Sequence, residues 1–128
     1  MIAIILTEWL EFAVRWFHII TAIAWIGSSF YFIALDLGLK KNKSLPDGVI
    51  GEEWQVHGGG FYNIQKYSVA PSNLPKDLIW FKWESYSTWL SGFFLLAIVY
   101  YGGADLYLID KEIADINNFQ AIAISLCS

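Results

Sequence analysis

The sequence contains few of the residues that many common sites require. Its single cysteine, Cys127, cannot form an internal disulfide and has no metal-site spacing around it. Eight Lys and Arg against twelve Asp and Glu give a net charge of −4. There is no basic tract with interleaved aromatics, which argues against nucleic-acid binding. No Lys or Arg precedes Arg15, where a secretory signal peptide would carry its basic region, so the first apolar segment is expected to stay in the mature protein.

Apolar residues, in contrast, are abundant. Hydrophobic residues make up 56% of the chain and aromatic residues 18%, which is far from the usual soluble composition. Residues 8–36 and 85–104 are each long enough to span a membrane, whereas a third apolar segment that begins at about residue 119 runs out at the last residue, 128. The sequence therefore predicts an all-α membrane protein, a fragment of a polytopic transmembrane helix bundle with two complete spans and the start of a third.

The connection between the two spans, residues 37–84, is too long and too aromatic for a simple linker. We expect an ordered cytoplasmic cap with one or two short or interfacial helices, within a single, incomplete N-terminal membrane domain over residues 1–128. The positive-inside rule places this connection in the cytoplasm and the N-terminus outside. The rule applies because the connection carries six of the eight basic residues: Lys40, Lys41, Lys43, Lys66, Lys76 and Lys82.

The first span carries a polar stripe along one face of the predicted helix. At about 100° per residue, its ionisable groups fall on one side, which predicts contact with other transmembrane helices rather than with lipid. Small and hydroxyl residues on the second span, Thr88, Ser91 and Gly92, are typical of helix packing. The stripe consists of Glu8, Glu11, Arg15, His18, Ala22, Trp25, Ser29 and Asp36.

His18 lies near the middle of the first span, where an ionisable group is costly and suggests a function. Its position leaves two interpretations open: a ligand for a metal or haem iron, or a hydrogen-bonding partner of a neighbouring helix. Arg15 is either a counter-charge for a propionate or an anionic substrate, or a side chain that snorkels to the interface or pairs with Glu11 or Glu8.

His57 opens the sequence HGGGFY in the connection. A His followed by three glycines occurs in the oxyanion-hole loop of some lipases, but the chain has no GxSxG nucleophile motif, which excludes that class. The glycines instead favour close backbone approach or positive φ angles. His57 itself could be a second metal ligand, a proton-handling group or a solvated loop residue.

Three long strings resemble a known family: EWLEFAVRWFHIITAIAWIGSSFYFIALD, GVIGEEWQVHGGGFYNIQKYSVAP and LPKDLIWFKWESYSTWLSGFFLLAIVYY. They look like the N-terminal membrane domain of the bacterial membrane-integral, cytochrome c-linked urate oxidases. Members of that family continue through further spans, commonly to a C-terminal cytochrome c domain with a CxxCH haem site. The resemblance implies that this chain is part of a longer enzyme of the bacterial inner membrane and is inactive alone.

The resemblance also implies the chemistry. Urate would be oxidised to 5-hydroxyisourate, with electrons passed to a c-type haem and the respiratory chain. The RWxH…AWIG pattern is similar to the first helix of other haem-associated membrane oxidoreductases, including the bacterial membrane protoporphyrinogen oxidase, which favours His18 as an axial ligand of a b-type haem. Arg15 and His57 become catalytic candidates, and Arg15, Gln65 and Lys66 become candidates for binding the urate anion.

Two other functions remain open at the level of sequence. A haem-carrying electron-transfer subunit would have no substrate site of its own. A membrane transport or assembly component would use the polar stripe to line a path. The expected partners in every case are the lipid bilayer and the remaining transmembrane helices, and for the enzyme also urate and a cytochrome c domain.

Overall fold

The computed structural model describes residues 1–128. Helix α1 covers Ile2–Gly38, and strands β1 (Val49–His57) and β2 (Gly60–Tyr67) follow it. Helix α2 (Trp83–Leu96) continues into a π-helical segment, Ala97–Tyr101. Two short helices, α3 (Ala104–Tyr107) and α4 (Asn118–Cys127), complete the chain. The residues form two compact units: Met1–Trp25 with Lys82–Ser128, and Ile26–Phe81.

A β-hairpin lies in the connection, where the sequence predicts an ordered cap with one or two short or interfacial helices. β1 and β2 pair antiparallel, and His57 lies opposite Gly60 across a two-residue turn. Gly58 and Gly59 form that turn with φ angles of +59° and +80°. Two consecutive positive φ angles match the twist of the flanking strands and are strongly favoured by glycine. The predicted all-α fold is therefore wrong, because this glycine pair closes a hairpin.

The prediction of a polytopic bundle with two complete spans is also wrong. The α-helical part, α2, has 14 residues and rises about 21 Å at 1.5 Å per residue, against a bilayer core of about 30 Å, and the five π-helical residues that continue it end at Tyr101. Its hydrogen-bonding pattern changes at Ala97, and the helical run ends at Gly102 and Gly103. By length and composition, α1 is the one helix that could cross a membrane. Residues 85–104 therefore do not form an unbroken span.

Few side chains are buried. The buried apolar residues are Leu35, Ala104 and Ala121, and the buried polar residues are Thr21, Thr88 and Ser91. Along the most apolar window of α1 only 6% is buried, unlike the core helix of a soluble protein. The protein therefore leaves most of its large apolar surface uncovered.

Candidate functional site

His18 is held by two polar groups of α2. Its Nδ1 lies 3.0 Å from the carbonyl oxygen of Thr88 and 3.0 Å from the Oγ of Ser91. The hydroxyl of Ser91 lies 2.7 Å from the carbonyl oxygen of Ser87, to which it donates its own proton. The small and hydroxyl residues of α2 thus serve both helix packing and the orientation of this imidazole.

These contacts assign the tautomer of His18. A carbonyl oxygen can only accept a hydrogen bond, and the hydroxyl of Ser91 already donates elsewhere, so Nδ1 carries the proton of the neutral ring. Nε2 then keeps its lone pair, which is the form in which imidazole binds a metal. A carbonyl or hydroxyl acceptor on the other ring nitrogen is also the usual outer support of a metal-binding histidine.

Gly92 allows α2 to approach His18 closely. A Cβ atom placed at Gly92 would lie 3.0 Å from Cε1 of the imidazole, which is tighter than ordinary van der Waals contact. A side chain at this position would therefore require the imidazole to shift by a few tenths of an ångström. Gly92 also lines the cleft beside His18.

That cleft has a volume of about 420 Å³, within the range of small-molecule sites. Its walls are mainly apolar and aromatic: His18, Trp25, Ser85, Thr88, Trp89, Gly92, Phe93 and Leu96. No three His, Cys, Asp or Glu side chains come together as a metal site. The imidazole of His18 lines this cleft, so a ligand bound there would contact the ring.

Arg15 is paired within its own helix. Its Nη2 bonds Oε1 of Glu11, one turn earlier, and the Arg15 side chain remains 51% exposed. Arg15 does not line the cleft beside His18. This arrangement matches the alternative in which the guanidinium pairs with Glu11, and an exposed pair of this kind contributes little to stability.

The hairpin separates the other predicted site residues. His57, at the end of β1, lines a second cleft together with Tyr31 and Gln55. Lys66 forms an ion pair with Asp36, with 2.6 Å between Nζ and Oδ1. Gln65 is one residue from Lys66 on β2, so its side chain points to the opposite face of the hairpin. The structure thus brings His57, but neither Gln65 nor Lys66, to that cleft.

A hydrogen-bonded chain that sequence reasoning missed lies beside His57. The hydroxyl of Tyr31 donates to Oε1 of Gln55, and Nε2 of Gln55 donates to Oε1 of Glu53 at 3.1 Å. The other oxygen of Glu53, Oε2, is buried without a hydrogen-bond partner. The period-two spacing of Glu53, Gln55 and His57 is the signal that could have placed them on one face of a strand.

The protein-family model described as "Urate oxidase N-terminal" matches residues 4–128. Neither a curated protein nor a solved structure matches the chain.

Proposed function

The chain belongs to the urate oxidase N-terminal family, and on that premise we propose that it is part of a membrane-bound oxidoreductase that converts urate to 5-hydroxyisourate. Family membership supports urate as the substrate and oxidation as the reaction class. The electron acceptor is a c-type cytochrome, and the protein lies in the bacterial inner membrane.

The proposed reaction balances without oxygen as oxidant. Urate and one water give 5-hydroxyisourate, two protons and two electrons. A C–O bond forms at C5 from the oxygen of water, which keeps one proton as the new hydroxyl and releases the other, and the second released proton comes from an N–H of the purine. Two one-electron c-type haems, or one haem reduced twice, accept the electrons. The residues of this chain would hold the substrate and the electron carrier in place while that transfer occurs.

The observation that carries the proposal is the orientation of His18. The protonated Nδ1 is held by Thr88 and Ser91 and the ring lines the aromatic cleft, so Nε2 is the atom that would hold a haem iron. A bound haem would supply one-electron transfer between the substrate and the external cytochrome. His18 would hold that group, and Thr88 and Ser91 would keep the ring in the required tautomer.

The membrane placement is supported by α1. It has 37 residues with a mean hydropathy of 1.6 over its most apolar window, and that window is almost entirely exposed. We propose that α1 crosses the membrane with the N-terminus outside and residues 37–84 in the cytoplasm, in agreement with the basic residues of that segment.

A stoichiometric assay on washed membranes that contain the full-length protein tests this function. Urate is added without oxygen in the presence of oxidised cytochrome c. We expect two molecules of cytochrome c to be reduced for each urate consumed, and the activity to remain with the membranes after alkaline washing.

Other results would contradict the proposal. Peroxide production with no cytochrome reduction would remove the cytochrome-linked route. Activity released into the supernatant would remove the membrane placement. A haem that is reduced by a chemical reductant but not by urate would favour the alternative function, an electron-transfer subunit without a substrate site. The cleft beside His18 is consistent with that alternative as well.

A further inference from the structure

The cleft at the hairpin is built differently from the one beside His18. It has a volume of about 610 Å³ and is lined by Tyr31, Gln55, Val56, His57, Tyr62 and Ile64. Tyr62 and Gln55 are opposite each other across the two strands, so both project to the same face. Two phenol rings, an amide and an imidazole therefore meet around a space of the size that binds small molecules.

The amide of Gln55 has one fixed orientation. The carboxylate of Glu53 can only accept, so the nitrogen of the amide must face Glu53 and its oxygen must face the hydroxyl of Tyr31. Each end of the amide still has capacity: Nε2 has a second proton and Oε1 a second lone pair. Gln55 lines the cleft and thus retains one donor and one acceptor for a ligand there.

Glu53 supports this orientation from behind. It does not line the cleft, and its Oε2 is buried beside Gly38, where any added Cβ atom would collide with the carboxylate. The carboxylate is therefore confined at the position where it holds Nε2 of Gln55. A preorganised amide loses less conformational freedom on binding than a mobile one.

We propose that this cleft binds the oxopurine and that Gln55 recognises an amide edge of the purine. This inference rests on the proposed function for the substrate class. Each N–H/C=O edge of urate presents a donor beside an acceptor, which is complementary to the remaining donor and acceptor of Gln55, as in the bidentate contact of glutamine with adenine. Tyr31 and Tyr62 provide aromatic surface for a planar ring, and His57 provides a polar contact at the hairpin turn.

The charge of the lining agrees with this ligand. No carboxylate lines the cleft, so an anionic purine meets no like charge there. Lys66 is held by Asp36 outside the cleft, which leaves hydrogen bonds rather than an ion pair to determine recognition. Binding should accordingly depend on the amide edge more than on the net charge of the purine.

Urate binding to the full-length protein tests the proposal, measured by equilibrium dialysis without oxygen or an electron acceptor so that no turnover is needed. Gln55→Leu removes both contacts, and we expect urate affinity to fall about tenfold or more. Tyr31→Phe frees one end of the amide and should weaken binding less. Asn63→Leu, which removes an amide that bonds Glu52 on the opposite face of the hairpin, is the matched control and should leave the affinity unchanged.

The outcomes separate the two proposals. Unchanged affinity in both Gln55→Leu and Tyr31→Phe would overturn the cleft as the purine site and leave urate oxidation standing. Wild-type protein that neither binds urate nor reduces cytochrome c with it would overturn the proposed function, and this inference with it. If Gln55→Leu fails to fold, as judged by its circular dichroism spectrum, Gln55→Met, with an unbranched and uncharged side chain of similar length, replaces it, with the same expected loss because both contacts to the purine are removed.

Discussion

At the scale of single residues, His18 is defined by what surrounds it rather than by its place in the sequence. From its position in the apolar segment alone, His18 is equally consistent with a metal ligand and with a residue that hydrogen-bonds a neighbouring helix. The structure contains the packing contact, through the carbonyl of Thr88 and the hydroxyl of Ser91. That same contact leaves Nε2 with a lone pair, so the two interpretations are compatible.

Gly92 gives a prediction at this scale. We expect Gly92→Ala to lower haem affinity about tenfold, because the added methyl group pushes against Cε1 of His18 and shifts the ring. Helix propensity alone would favour alanine over glycine by up to about 1 kcal/mol. A loss of haem affinity would therefore be caused by the contact with His18 and not by a weaker helix. Haem titration of the full-length protein, followed by absorbance, measures the effect.

Gly27→Ala is the matched control. A Cβ atom at Gly27 would meet nothing within 4 Å, so haem affinity should not change. Equal haem affinity in the two alanine variants would show that Gly92 is not required for the position of His18.

At the scale of elements, the hairpin is the part of the fold that was not predicted from the sequence. The length and aromatic content of the connection predict an ordered cap with one or two short or interfacial helices. The Gly58–Gly59 pair and the alternation on either side of it are hairpin signals of short range, and the aromatic content concealed them. The long apolar run of residues 8–36, by contrast, lies within one helix, since a strong signal over many residues is little affected by local turn chemistry.

The hairpin turn carries its own prediction. Gly59→Val places a β-branched residue at a φ of +80° and should destabilise the hairpin by about 1–2 kcal/mol. Cleavage of the hairpin by a protease at limiting concentration should then be roughly fivefold to thirtyfold faster. Gly58→Asn keeps a residue that tolerates positive φ at this kind of turn, and we expect near wild-type cleavage. Equal cleavage rates for the two variants would contradict the assigned turn.

At the scale of the whole molecule, the resemblance to urate oxidases is confirmed at the level of the family, while the predicted bundle is not. The resemblance depended on long sequence strings, which do not require the fold to be predicted correctly. The prediction of a second span is wrong for a local reason: the hydrogen bonding of α2 changes to π-helical at Ala97, and the helical run ends at Gly102 and Gly103. Hydropathy over residues 85–104 does not register either change. The hydrogen bonds of His18 and Gln55 depend on tertiary contacts and could not be predicted from spacing alone.

The most direct test of the central claim, that His18 holds a haem through which urate is oxidised, is the visible absorption spectrum of full-length His18→Ala protein before and after urate is added without oxygen. We expect the b-type haem bands to be lost and the urate-driven reduction to disappear with them, whereas His57→Ala, the other histidine of this chain, keeps the bands. A His18→Ala protein with an unchanged b-type haem spectrum that is still reduced by urate would contradict the claim.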